Sequence, residues 1–384
     1  MLHNNFSKMK TLILDKMLTG GFRVLQLLGL TLLAACAAPT AQNVVKPIIP
    51  VFPMPPDEAR FIYERTLFSS ADVVKEDKNA DMRRMLTGEP RVGEGMAKPY
   101  GVAAYKGRIY VSDTAIRAIV VFDIPGQRFF KIGDDENDAR GKLLAPFGLD
   151  VDANGNLYVV DAGSKSVKVY DPDGKYLREL ARGAGFSRPT GIAVDAGGAR
   201  VYVVDIGGVN SDEHKVRVFD AQTGAHVLDI GKRGSEPGEF NLPRDVSIGM
   251  DGLLYVVDGG NFRVQVFQPD GKFLRVFGAI GRQGGQFSRP KEVAVGPDGN
   301  IYVVDTAFGN FQIFDVEGRL LLAVGSRSEV EGMAKFMLPA GIAIDGDGRV
   351  YMADQFFRKI EVFRPAKMAA SDGFVVKLPS DVKK

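Results

Sequence analysis

Residues 246–277 read VSIGMDGLLYVVDGGNFRVQVFQPDGKFLRVF and contain four short runs in which apolar residues alternate with others. These runs are Val246–Ile248, Leu254–Val257, Arg263–Phe267 and Phe273–Phe277. A period of two in segments rich in Val, Tyr and Phe predicts half-buried β-strands. The Asp-Gly pairs at 251–252 and 270–271 predict tight turns between strands. The stretch therefore predicts one antiparallel unit of four strands, called a to d in chain order.

This pattern occurs six times, each time with a tyrosine followed three residues later by an aspartate. Successive aspartates lie 48, 44, 53, 47 and 49 residues apart, and the third repeat carries a five-residue insertion within Ile206–Lys215. Four strands in about 40–50 residues are typical of a propeller blade. We therefore predict an all-β fold, a six-bladed β-propeller with four-stranded antiparallel blades. The aspartates are Asp113, Asp161, Asp205, Asp258, Asp305 and Asp354.

The sixth repeat lacks its fourth strand in sequence order, and an open blade edge would invite pairing with other chains. Arg60–Phe68 (RFIYERTLF) alternates well and lies just before the first blade, so we predict that this N-terminal strand closes the last blade. Met82–Thr87 and Phe374–Leu378 are competing candidates. Lys75–Leu86 is expected to form a short amphipathic helix.

The N-terminus has the features of an export signal. Val24–Ala35 is a twelve-residue apolar run, too short for a membrane span, with four basic residues upstream. It ends at Leu33-Ala34-Ala35-Cys36, which resembles the lipobox of bacterial lipoproteins, and Cys36 is the one cysteine of the chain. The resemblance implies lipidation of Cys36 and a lipid anchor in the cell envelope. Because residue 37 is Ala rather than Asp, the outer membrane is the expected location.

The expected organisation follows from these segments. A signal peptide (1–35) precedes a proline-rich tether (36–59), in which six prolines favour extended geometry. A closing strand and connector (60–97), the propeller repeats (98–366) and a C-terminal tail (367–384) complete the chain. The full chain has 49 basic and 47 acidic residues, and removing four basic residues and Asp15 with the signal leaves 45 and 46, a charge of −1. Nucleic acid is therefore not an expected partner.

The repeats resemble the NHL-repeat family of six-bladed propellers, and more narrowly its bacterial lipoproteins. The resemblance is carried by Pro-x-Gly segments such as Pro99–Ala104, Pro189–Val194 and Pro339–Ile344, and by Tyr-Val-x-Asp. Loops such as Gly231–Pro243 and Gly278–Pro290 also match. It implies a rigid scaffold on which many functions are possible.

The candidate site lies on the top face, defined as the face that carries the loops from strand d to a and from strand b to c. These loops are long and rich in glycine, and function concentrates on such loops. In four blades a glycine stands two residues after the first proline of strand a, but blades 4 and 5 have Asp245 and Glu292, preceded by Arg244 and Lys291. These four residues are our candidate ligand-binding site at the channel mouth, with a solvated salt-bridge cluster as the alternative.

The six repeated aspartates are expected to be structural, because one carboxylate per blade can bind N–H groups of its own b–c turn. Asp150-x-Asp152-x-Asn154-Gly155 resembles a calcium loop, but its glycine lies between two strands and no helices flank it. His214 is expected in an exposed loop and His226 on the outer blade surface. Two histidines from one blade do not fit the zinc site of amidating lyases with this fold.

The sequence favours a non-enzymatic binding or scaffold module for an envelope protein, peptide or glycan. No metal or cofactor is expected, and the oligomeric state stays open. The alternative is an enzyme, a metal-dependent hydrolase like the gluconolactonase-type propellers, in which Asp245 and Glu292 would hold a cation at the channel mouth. Whether any catalysis occurs is left open by the sequence.

Overall fold

The computed structural model describes residues 48–75, 78–88, 92–208 and 210–374, and these contain six antiparallel blades. Blade 1 has Pro99–Tyr105, Arg108–Asp113, Ala118–Asp123 and Arg128–Ile132, and blade 2 has Pro146–Val151, Leu157–Asp161, Ser166–Tyr170 and Tyr176–Leu180. Blade 3 has Pro189–Val194, Arg200–Asp205, Lys215–Asp220 and His226–Ile230, and blade 4 has Pro243–Ile248, Leu254–Asp258, Arg263–Phe267 and Phe273–Phe277. Blade 5 has Pro290–Val295, Ile301–Asp305, Asn310–Phe314 and Leu320–Val324, and blade 6 has Pro339–Ile344, Val350–Asp354 and Lys359–Pro365. The predicted six-bladed fold is confirmed.

Blade 6 is closed by the N-terminal strand Phe61–Leu67, which pairs antiparallel with Lys359–Pro365. A short strand, Val51–Phe52, is added outside it. Closure is reinforced by a buried ion pair, since Arg349 Nε lies 2.8 Å from Glu64 Oε2 and the Arg349 side chain is fully buried. The predicted closing strand is confirmed. Met82–Thr87 as a closing strand is wrong, because it belongs to the helix Lys78–Thr87.

The hydrophobic core consists of six clusters, and each fills the seam between two neighbouring blades. The seam between blades 3 and 4, for example, packs Val204, Val218 and Ile230 against Val256 and Phe267. Corresponding clusters lie between the other blade pairs, including blades 6 and 1. Each blade therefore buries both faces of its inner strands, which explains the near-continuous apolar runs of strands b and c.

Neighbouring inner strands come so close that most blades need glycine two residues after the first proline. A Cβ on Gly341 would lie 2.3 Å from Tyr100 O, and one on Gly148 would lie 2.4 Å from Thr190 O. Such distances are far below van der Waals contact, so a side chain there would push two blades apart. This is the physical reason for the repeated Pro-x-Gly pattern.

The remaining described segments are short. The connector contains a 3₁₀ turn, Ser70–Asp72, and the helix Lys78–Thr87, close to the predicted Lys75–Leu86. A second 3₁₀ turn, Gly259–Asn261, follows strand b of blade 4, and a small parallel pair joins Ser326–Arg327 to Lys335–Phe336. Within the described ranges, no helix is long and apolar enough to cross a membrane. The signal peptide, residues 36–47 of the tether with Cys36, and residues 375–378 of the third closing candidate lie outside the described residues.

Candidate functional site

The aspartate that ends strand b of each blade fixes the top loops of that blade. In blade 3, Asp205 accepts hydrogen bonds from the N–H groups of Ser187 and Arg188, both at 2.8 Å, and from Gly207 at 3.3 Å. The predicted structural role is confirmed, and each carboxylate also holds the loop that leads into strand a. The same loop N–H groups, one or both, are bound by Asp113, Asp161, Asp258, Asp305 and Asp354.

Side chains on strand c hold the long d–a loops from the other side. Gln265 accepts a hydrogen bond from Gly238 N–H at 2.8 Å and donates one to Glu239 O at 2.7 Å. Gln312 makes the same pair of bonds with Gly285 and Gln286. The glycine-rich loops of the top face are therefore anchored at both ends of their turns, and they present their side chains from a fixed backbone.

A cavity of about 730 Å³ runs along the central channel. Residues of strands a line the cavity from about the third position onward, and Asp245 and Glu292 are third-position residues that line it. The lining continues to the a–b turns on the bottom face. Exposed turn residues such as Met250 and Pro297 line its lower end, so the channel opens at the bottom. The two carboxylates that the sequence singled out therefore face the channel rather than the top surface.

Asp245 and Glu292 each bridge to the next blade. Asp245 Oδ2 accepts a hydrogen bond from Val293 N–H at 3.1 Å, and Glu292 Oε2 accepts one from Ile342 N–H at 3.1 Å. Where other blades have a glycine that lets neighbouring strands a approach closely, these two blades have a carboxylate that bonds the next strand. A third channel carboxylate, Asp150, does the same between blades 2 and 3, bonding Val194 N–H at 2.9 Å.

The channel carboxylates bind protons more readily than free side chains do. Burial raises the pKa of Asp150 to about 6 and that of Asp245 to about 7, and the two charges repel each other. Burial also raises the pKa of Glu292 well above its ordinary value, and Asp245 adds to this rise. Among the described residues, no group of three or more His, Cys, Asp or Glu side chains is arranged as a set of metal ligands.

Above the channel, the residues that directly follow the first proline of each strand a form a separate layer. Lys291 Nζ lies 4.4 Å from the centre of the Tyr100 ring, and that ring meets Phe147 edge to face at 4.9 Å. Arg244 belongs to this layer, and its carbonyl accepts a hydrogen bond from Thr190 Oγ1 at 3.1 Å. None of these side chains lines the cavity, so the layer roofs the channel at the top mouth.

The top mouth is strongly cationic. Arg244 and Lys291 are half-buried in the roof, and three exposed cations, Lys98, Arg188 and Arg289, directly precede the first prolines of blades 1, 3 and 5. Within the described part of the chain, none of the five has a carboxylate oxygen within 4.0 Å. We call these five side chains the mouth cations.

The charged forms of Arg244 and Lys291 are disfavoured by burial and by the neighbouring mouth cations. Burial lowers the pKa of Arg244, and the positive charges of Arg188 and Arg289 lower it further. Burial also lowers the pKa of Lys291 to about 8; Glu292 opposes this shift, while Arg244 and Lys98 add to it. Arg244 and Lys291 were predicted at the mouth, whereas Lys98, Arg188 and Arg289 were not. The signal for these three is a basic residue directly before the first proline of blades 1, 3 and 5.

The histidines give one correction. His214 is fully buried rather than in an exposed loop, because its Nδ1 accepts a hydrogen bond from Leu242 N–H and its Nε2 lies 3.1 Å from Gly208 O. The ring thus ties the blade 3 insertion to the loop that enters blade 4. His226 lies on the outer strand, as predicted, where its Nε2 contacts Asp229 Oδ1 at 2.8 Å.

These features define a six-bladed β-propeller with a roofed channel, and comparisons with known proteins agree with this class. The family model of the NHL repeat matches residues 240–267, which cover most of blade 4 up to the end of strand c. A gluconolactonase from Xanthomonas campestris has the same fold, with a TM-score of 0.53, 15% identity, and coverage of 79% of this chain and 98% of that one. The repeat and the fold together support an NHL-type propeller.

Two curated relatives match part of the chain. Mouse NHL repeat-containing protein 3 is 31% identical over 135 residues, which are 31% of this chain and 37% of the relative. A probable peptidyl-alpha-hydroxyglycine alpha-amidating lyase of Caenorhabditis elegans is 28% identical over 130 residues, 33% of this chain and 35% of the relative. The chain thus spans little more than a third of these relatives.

Proposed function

We propose that this protein is an envelope-anchored binding module whose top face recognises a partner without catalysing a reaction. The observation that carries the proposal is the group of mouth cations, which lack carboxylate partners among the described residues. Lys98, Arg188 and Arg289 stand on loops that buried aspartates hold in place, and Arg244 and Lys291 stand at the start of strands a. Unpaired charge on a fixed backbone is typical of a surface that recognises another molecule. Arg244 and Lys291 are binding residues in this proposal.

Asp245 and Glu292 have a supporting role in the proposed site. Their bonds to Val293 and Ile342 hold blades 4, 5 and 6 together directly beneath the roof. The negative charge of Glu292 also favours the charged form of its neighbour Lys291. We expect substitutions at these two carboxylates to weaken binding through the position of the roof rather than through direct contact.

The proposed location rests on the N-terminal sequence. A lipidated Cys36 followed by a proline-rich segment would display the propeller on the outer membrane, where envelope proteins, peptides and glycans are available. Because export removes the chain from cytoplasmic RNA, a nucleic-acid partner does not fit this location.

Photo-crosslinking in cells tests which face binds. A photoreactive amino acid replaces Ile280, which is 67% exposed on a top loop, or Met250, which is 82% exposed on a bottom turn. The proposal predicts a discrete crosslinked product from position 280 and none from position 250. Products from position 250 alone would contradict it.

A metal-dependent hydrolase is the second candidate, and one observation favours it: Asp150, Asp245 and Glu292 line a single cavity. The purified full-length protein would be assayed for bound divalent metal and for lactone hydrolysis. Stoichiometric metal and turnover, both lost in Asp245→Asn, would replace the binding proposal with the enzyme. Intact top-face crosslinking without turnover would support the binding module.

A further inference from the structure

We propose that the top mouth binds a phosphomonoester group, with Arg188, Arg244 and Arg289 as its principal ligands. This inference rests on the proposed binding function and names the chemistry of the ligand. A phosphomonoester carries a charge of about −1.5 to −2 at neutral pH, which suits a site with several cations and no carboxylate partner.

The backbone positions of Arg188 and Arg289 are fixed at the mouth. Asp205 and Asp305 bind the backbone N–H groups of Arg188, at 2.8 Å, and Arg289, at 3.0 Å. These buried carboxylates fix the points from which both side chains start. Arg188 and Arg289 belong to blades 3 and 5, and Arg244 belongs to blade 4 between them. The three guanidinium groups therefore come from three consecutive blades around one side of the mouth.

The side chain of Arg244 packs against the b–c turn of its own blade. A Cβ added to Gly259, in the b–c turn of the same blade, would lie 2.8 Å from Arg244 Cγ and 3.2 Å from its Nε. The arginine side chain therefore lies directly on the backbone of that turn, and the glycine leaves the room it needs. A half-buried arginine packed in this way loses little further freedom when it binds a ligand.

Positive charges oppose one another at the mouth. Arg188 and Arg289 disfavour the charge on Arg244, Arg244 and Lys98 disfavour that on Lys291, and an anion placed between these groups relieves the repulsion. Planar guanidinium groups bind phosphate oxygens through two parallel N–H bonds, which a rounded ammonium group does not offer. Three arginines together with two lysines thus favour phosphate over a singly charged carboxylate.

A phosphomonoester in the cell envelope could come from a phosphorylated sugar or from a lipid headgroup, and the test separates these sources. Binding of glucose 1-phosphate to the purified protein is measured by calorimetry at low salt. Glucose and glucuronate serve as the uncharged and carboxylate controls. Vesicles of phosphatidylcholine with and without phosphatidic acid test the headgroup, using sedimentation of the protein.

The key variant is Arg188→Ala/Arg289→Ala, since both side chains are exposed and neither takes part in an ion pair among the described residues. Its matched control is Lys175→Ala/Lys272→Ala, which removes two exposed cations from bottom turns. We expect the arginine variant to bind glucose 1-phosphate at least about tenfold more weakly, from the loss of two charge-assisted contacts, and the control to bind like the wild type. Gly259→Ala, which displaces Arg244 without removing charge, should also weaken binding.

Binding lost with the arginines and kept in the control supports the inference, and whichever of the sugar or the vesicle binds identifies the source. Equal binding of glucuronate, or equal loss in both variants, would overturn it as a nonspecific charge effect. Tighter binding of a single-stranded oligonucleotide than of either phosphomonoester would also overturn it. If no phosphate ligand binds while position 280 still crosslinks to a partner, the inference fails and the proposed binding function stands.

Discussion

Replacing Asp205 with Ala tests whether the repeated aspartates hold the top face. Asp205 is fully buried and accepts two 2.8 Å hydrogen bonds from Ser187 and Arg188 and a longer one from Gly207. A hydrogen bond to a charged group contributes about 1.5–3 kcal/mol. Part of this is offset because the variant no longer buries a charge. We therefore expect Asp205→Ala to lower the free energy of unfolding by about 3 kcal/mol.

The assay is equilibrium unfolding in urea, followed by tyrosine fluorescence. Asp205→Asn keeps one acceptor oxygen and should recover about half of the loss. Asp212→Ala, an exposed aspartate in the nearby insertion, is the control and should change stability by less than about 0.5 kcal/mol. If Asp205→Ala lowers the free energy of unfolding by less than about 1 kcal/mol, the carboxylate does not hold the loops of the top face.

Three further predictions concern the seams, the closure and pH. Gly191→Ala should lower the free energy of unfolding in urea by about 1–3 kcal/mol, because its Cβ would lie 2.4 Å from Asp245 Oδ1. Gly346→Ala is the control and should be nearly neutral, because its Cβ would have no atom within 4 Å. Equal effects would contradict the close approach of the blades. Glu64→Ala should lower the free energy of unfolding by about 3 kcal/mol, because it removes the nearer of the two carboxylates that pair with buried Arg349, and the exposed Glu58→Ala is its control. A loss no larger than the control's would show that the ion pair does not secure the closure. Because the folded state raises the pKa of Asp245 from 3.8 to about 7, the protonated folded form is favoured, so this contribution to stability is complete below about pH 4 and is lost as pH rises through 7. Asp245→Asn should flatten that part of the pH profile of unfolding, and identical profiles would contradict the assignment.

Much of the fold follows from local sequence patterns. Period-two runs and Asp-Gly turns specify strands, and the repeat of Tyr-x-x-Asp specifies their grouping into blades. The closing strand was also predictable, because Arg60–Phe68 alternates and one blade lacked a strand. The buried state of His214 was not, because it depends on Leu242, a residue from the next blade that the local sequence does not indicate.

The candidate site was only partly predictable, for a physical reason. The alternating direction of the strands places the start of each strand a, and with it Arg244 and Lys291, at the top face. It does not show whether a side chain there lies at the mouth or points down into the channel. Asp245 and Glu292 turn into the channel because the N–H groups of the next blade are there to be bound. The sequence showed Asp150 only as part of a motif resembling a calcium loop, and its place in the channel was missed because it lies two residues further along its strand than the other two channel carboxylates.

The most direct test of the account is a crystal structure of the protein soaked in tungstate, a heavy analogue of phosphate with strong anomalous scattering. The account predicts an ordered ion at the top mouth in contact with Arg188, Arg244 and Arg289, and no ion there in the Arg188→Ala/Arg289→Ala variant. An empty mouth in crystals where tungstate binds elsewhere would contradict the proposal that this face receives an anionic ligand.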